Sequence, residues 1–147
     1  MYLDFNRLEH IPEEALRGTN AIRLYLSSNA LRTIDELAFQ SLSSSLVLLD
    51  LDRNHLGKYP SALNHLERLR FLYLANNEVK SLSGADLTSF GAHLEALSLA
   101  GNHLHRFPSA ALLNCPKLAH LNLAYNSIEN ITADMFQVST TNQQPEK

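Results

Sequence analysis

Six asparagines do most to limit what this chain can fold into. They stand at Asn6, Asn29, Asn54, Asn77, Asn102 and Asn126, at intervals of 23, 25, 23, 25 and 24 residues. Each carries the same apolar frame. Leu46, Leu49 and Leu51 precede Asn54 and Leu56 follows it. At the same offsets Asn77 has Leu69, Leu72, Leu74 and Val79, and Asn102 has Leu94, Leu97, Leu99 and Leu104. Asn126 has Leu118, Leu121, Leu123 and Ile128, and Asn29 has Ala21, Leu24, Leu26 and Leu31. Asn6 keeps Met1, Leu3 and Leu8. Another apolar residue recurs five places after each asparagine: Ile11, Ile34, Tyr59, Leu82, Phe107 and Ile131. A fixed period of this length means stacked coils, each too small to bury its own apolar surface.

The frame dictates the local structure. Leu49 and Leu51 alternate with Asp50 and Asp52, the period-2 pattern of a short half-buried strand. Successive strands of this kind lie parallel, so each needs a return segment of a dozen or more residues. The returns carry apolar anchors three apart: Phe39 and Leu42, Leu63 and Leu66, Leu87 and Phe90, Leu112 and Cys115, then Phe136. That spacing suits a single helical or 3₁₀ turn. The asparagine amide both donates and accepts. At the turn out of each strand it can satisfy backbone groups that would otherwise be orphaned, and stacking would align the six amides into a structural ladder.

These residues follow the pattern L-x-x-L-x-L-x-x-N-x-L, and over positions 1 to about 136 the chain resembles the leucine-rich repeat family. The resemblance implies an α/β solenoid, a curved right-handed horseshoe with a parallel β-sheet on its concave face and short 3₁₀ or irregular returns on its convex face. Residues 1–136 are expected to form about six repeats, the first incomplete, and the polar segment 137–147 a disordered tail. A longer period of 48 residues relates Pro12, Pro60 and Pro108, while the alternate repeats have an aromatic anchor and two extra residues. This alternation is similar to chaoptin-like arrays of extracellular leucine-rich repeats. Such arrays usually carry cysteine-rich caps, absent here, so the chain is expected to be a piece of a longer array.

Composition removes several function classes. The formal net charge of -3 gives no electrostatic reason to expect a nucleic acid or an anionic membrane as partner. One cysteine excludes an internal disulfide and a Cys-based zinc site. No apolar run approaches the ~18 residues a membrane span needs, and the opening MYLDFNRLEH does not read as a signal peptide. There is no G-x-S-x-G, P-loop, H-E-x-x-H or dinucleotide fingerprint, so neither catalysis nor a cofactor is expected.

The outward positions of the strands form three rows across the concave face. The first reads Arg23, Leu48, Phe71, Ala96, His120; the second Tyr2, Tyr25, Asp50, Tyr73, Ser98, Asn122; the third Asp4, Ser27, Asp52, Ala75, Ala100, Ala124. The candidate binding residues are Arg23, Tyr25, Leu48, Asp50, Asp52, Phe71 and Tyr73, aromatics around an acidic centre in the manner of a protein-contact hot spot. Alternatively the aromatics pack on one another as cross-strand pairs. His55, Glu78 and His103 share one column, which reads as a solvated charge column rather than a metal site. Asn130-Ile131-Thr132 is a possible glycosylation sequon, and Cys115 occupies an apolar slot as a buried thiol. The expected function is non-catalytic binding of a protein ligand or cell-surface receptor, at the cell surface or outside the cell. The alternatives are a cytoplasmic scaffold or regulatory subunit, and a substrate-recruiting module of a larger enzyme.

Overall fold

The computed structural model describes residues 1–136, so the expected tail at 137–147 lies outside the described residues. Among the described residues, seven short strands occur in chain order: β1 (His10–Ile11), β2 (Arg23–Tyr25), β3 (Thr33–Ile34), β4 (Leu48–Asp50), β5 (Phe71–Tyr73), β6 (Ala96–Ser98) and β7 (His120–Asn122). Five form one all-parallel sheet in the order β2-β4-β5-β6-β7, with no strand inserted out of turn. The first coil adds only a parallel bridge, Tyr2 to Tyr25, rather than the sixth strand that the repeat count suggests.

The five strands of this sheet are three residues long because the chain leaves the sheet at the same point in every coil. The residue before each of the six asparagines (Phe5, Ser28, Arg53, Asn76, Gly101 and Tyr125) has a left-handed backbone, φ between 53° and 63°. Five of the six are not glycine, and each carries the steric cost that β-carbons meet in that region. The turn then delivers the asparagine amide into the space between coils. Asn77 is typical. It donates to the carbonyls of Leu51 (2.9 Å) in the preceding coil and Leu74 (3.2 Å) in its own, and accepts from the Leu56 N–H (3.0 Å). Asn29, Asn54, Asn102 and Asn126 make the equivalent sets. Asn6, exposed, bonds only within its own coil, to the carbonyls of Leu3 and Asp4.

Inside the coils, register places like on like. Leu24, Leu49, Leu72 and Leu97 sit opposite one another on successive strands and are at most 2% exposed. Leu26, Leu51, Leu74 and Leu99 form a second fully buried column. Each such leucine contributes roughly 1.5–3 kcal/mol by leaving water. The returns close the other side. Single 3₁₀ turns span Gln40–Leu42, Ser61–His65, Gly91–His93 and Ala133–Phe136, and one α-helical turn, α1, spans Ser109–Leu112. Phe39, Leu42, Leu63, Leu66, Leu87 and Phe90 are fully buried there. Tightness between returns explains Gly91, where a β-carbon would lie 2.5 Å from the Asn114 carbonyl oxygen.

Two further features differ from the sequence reading. Phe136 is not a buried anchor like Phe39 and Phe90. It stays 59% exposed, with its ring 5.0 Å from Phe107, because no further described coil lies over it. A second small parallel sheet, β1 with β3, pairs Ile11 with Ile34 where the first two returns begin. Among the described residues no helix is long and apolar enough to cross a membrane.

Candidate functional site

The three rows read from the sequence are the sheet's own register. Arg23, Leu48, Phe71, Ala96 and His120 pair in sequence across β2, β4, β5, β6 and β7, and so do Tyr25, Asp50, Tyr73, Ser98 and Asn122. The rows lie on the face opposite the buried leucines because alternate residues of a strand point to opposite sides. Leu48, Asp50, Phe71 and Tyr73 are half-buried by their neighbours; Ala75 and Ala96, beside them, are buried. The candidate residues therefore occupy one continuous patch over β2, β4 and β5. The chain past β5 offers mostly small side chains.

The aromatics divide between the two readings. Tyr2 and Tyr25 stack face to face across neighbouring strands, 4.7 Å between ring centroids and 3° between planes, which is cross-strand packing. Tyr73 has no ring next to it in its row, because Asp50 stands between it and Tyr25. Phe71 lies under the Arg70 guanidinium at 5.4 Å, and Arg70 is held in turn by Glu95 at 2.7 Å.

The acidic centre is chemically unusual. Burial raises the carboxyl of Asp50 above its ordinary value, opposed by a hydrogen bond from the Asp52 N–H (3.0 Å). Burial pushes Asp52 up to about 6, opposed by the Ala75 N–H at 2.6 Å and reinforced by the charge of Asp50. Asp4, whose charge also raises Asp50, accepts from the Ser27 N–H and hydroxyl at 2.9 and 2.8 Å. Asp4 and Asp52 are 48 residues apart and do the same job: each carboxylate caps a backbone N–H of the next coil. Sequence reasoning placed Asp4 in the row without seeing this role. The 48-residue spacing was the available signal.

Elsewhere the charges are spread thin. In the column beside the ladder, His55 and Glu78 approach to 3.4 Å, both about half exposed, a solvated pair. Among the described residues no group of three or more His, Cys, Asp or Glu side chains could hold a metal ion. Asn130 and Thr132 of the sequon are both exposed. Cys115 is buried, and burial pushes its thiol up to about 11, which fits a small hydrophobe rather than a nucleophile.

A family profile described as "Leucine rich repeat" matches residues 1–56, 23–79 and 92–138. The chain belongs to the leucine-rich repeat family. Fibromodulin of Sus scrofa is 39% identical over 71 residues, 47% of this chain and 47% of that protein. Leucine-rich repeat-containing protein 3B of Homo sapiens is 38% identical over 69 residues, 46% of this chain and 27% of that protein. The matches thus span about half or less of these relatives' length. Among solved structures, the Drosophila Toll–Spatzle complex (glycosylated form) superposes with a TM-score of 0.73 at 25% identity, covering 85% of this chain and 19% of the other. A Listeria monocytogenes internalin gives 0.65 at 22%, covering 80% and 32%, and the TLR13–ssRNA13 complex gives 0.67 at 21%, covering 91% and 22%. These are leucine-rich repeat solenoids, the architecture described above. One of them is an RNA complex, so the fold by itself does not exclude a nucleic acid partner.

Proposed function

We propose that residues 1–136 of this leucine-rich repeat chain are a non-catalytic protein-binding module that engages a protein ligand or receptor through its concave face. The carrying observation is the patch of Tyr25, Leu48, Asp50, Asp52, Phe71 and Tyr73, set in register on a rigid sheet and half-buried against its neighbours. Half-buried aromatics and carboxylates on a pre-formed surface lose little freedom on binding. The acidic centre and the net charge of -3 favour a protein over a polyanionic nucleic acid. A cell-surface adhesion or receptor ectodomain is the setting we favour. The support is the two-repeat alternation and the exposed Asn130 sequon, together with a neighbour solved as a protein complex in glycosylated form.

A photo-crosslinking benzoylphenylalanine placed at Tyr73, with the same group at convex Glu36 as control, tests this on protein applied to intact cells. The expected result is a discrete protein adduct from position 73, lost when Phe71→Ala is added. Adducts from position 36 only, or none from position 73, would move the binding surface elsewhere.

A further inference from the structure

We propose that the interruption of the tyrosine row at Asp50 is a seat for an arginine side chain of the protein partner. This deepens the concave-face reading above and rests on it. Tyr2, Tyr25, Asp50 and Tyr73 are consecutive rungs in register on neighbouring strands. The Tyr2 and Tyr25 rings stack at 4.7 Å and 3°, so the stack repeats at the strand spacing. One face of Tyr25 is covered by Tyr2, and the opposite face turns toward the strand of Asp50. There the third ring is missing. A short aspartate takes its place, leaving room for a flat group with a carboxylate beneath it and Tyr73 on the far side.

The dimensions suit a guanidinium. Tyr25 and Tyr73 stand two strand spacings apart, about 9.6 Å. A cation midway between them is about 5 Å from each, inside the ~6 Å reach of a cation–π contact. A guanidinium is planar, stacks on aromatic faces and offers paired N–H donors to a carboxylate, whereas an ammonium is a compact point charge. Leu48, in the adjoining row, gives the aliphatic stem an apolar lip; Phe71 beside it carries the Arg70 guanidinium, which Glu95 holds.

The charge is also available. The described ion pairs are Arg17–Glu14, Arg70–Glu95, His10–Asp35 and His55–Glu78, and none uses Asp4, Asp50 or Asp52. Each of these three carboxylates engages one oxygen, Oδ1, with backbone N–H or hydroxyl groups; the Oδ2 of each takes no hydrogen bond among the described residues. Arg53, exposed at the turn, acts on Asp50 and Asp52 only through longer-range attraction. Arg23 lies in the neighbouring row, opposite Leu48. An incoming cation would relieve the mutual repulsion of the acids and hold them ionised.

The test titrates the ¹⁵N-labelled chain with N-acetyl-arginine amide at pH 7.5, against the lysine and norleucine amides. The expected result is saturable millimolar shifts at Tyr25, Asp50 and Tyr73 with arginine. They should be weaker with lysine, absent with norleucine, and weaker at pH 5 than at pH 7.5, because burial raises the Asp50 carboxyl above its ordinary value. Asp50→Asn should weaken arginine binding at least fivefold, with the amide spectrum elsewhere unchanged. Equal shifts with norleucine, or full arginine binding by Asp50→Asn, would overturn the seat. The crosslink at position 73 separates the two readings. A crosslink that persists while the arginine amide fails to bind removes the seat alone; a missing crosslink removes the concave-face reading whatever the amide does.

Discussion

Replacing Asn77 by alanine puts the whole stacking scheme to a quantitative test. Asn77 donates to the Leu51, Leu74 and Ala75 carbonyls and accepts from the Leu56 N–H. The losses are unequal. Leu51 keeps a bond from Asn54, Leu74 one from Asn102, and Ala75 one from the Arg53 N–H. The Leu56 N–H has only Asn77, and Leu56 is 2% exposed. One buried donor is therefore orphaned outright, at about 1–3 kcal/mol, while three carbonyls drop from two partners to one, at a few tenths of a kcal/mol each. The expected cost of Asn77→Ala is about 2–4 kcal/mol. For a chain of this size that lowers Tm by roughly 6–12 °C, read by circular dichroism. Asn6→Ala is the internal control. Its amide is exposed and bonds only within its own coil, so it should cost under about 1 kcal/mol. Equal Tm values for the two variants would refute the idea that the amides tie coil to coil.

Three further substitutions test other parts of the structure. Gly91→Ala should cost about 1–3 kcal/mol in urea unfolding, because its β-carbon meets the Asn114 carbonyl at 2.5 Å; Gly84→Ala, with nothing nearer than 3.6 Å, should stay within ~0.5 kcal/mol. The carboxyl of Asp52 sits at about 6 in the folded state against an ordinary 3.8, so the native state holds its proton more tightly than the unfolded chain and loses stability as pH rises from about 4 to 6. Asp52→Asn keeps an acceptor for the Ala75 N–H and should raise Tm at pH 7 while flattening that decline; an unchanged pH profile would refute the assignment. Cys115, pushed up to about 11, should react with a disulfide reagent at pH 8 at least ~100-fold more slowly in the native chain than in urea.

The register of the concave rows was legible because it follows from counting. Once Leu49 and Leu72 are known to be equivalent, Asp50 must lie opposite Tyr73. The amide of Asn77 was legible for the same reason, since a polar residue recurring inside an apolar frame needs partners there. The left-handed turn was not. Phe5, Ser28, Arg53, Asn76 and Tyr125 share no chemistry, and only Gly101 hints at the dihedral they share. The pairing of β1 with β3 was hidden too, because His10–Ile11 and Thr33–Ile34 are too short to show a period. In the site, the Tyr2–Tyr25 stack depends on ring orientation, and the exposure of Phe136 on what lies beyond it. Neither is written in spacing.

Every inter-coil bond of the ladder links a coil only to its immediate neighbour. Under tension applied at the two ends, such an assembly has no long-range tether to share the load, so it should come apart from its ends, one coil at a time. A coil about 5 Å thick in the stack releases 23–25 residues, or roughly 80 Å of extended polypeptide. The chain would then pay out length in near-equal steps as it is pulled, acting as a graded spring between whatever is attached at either end.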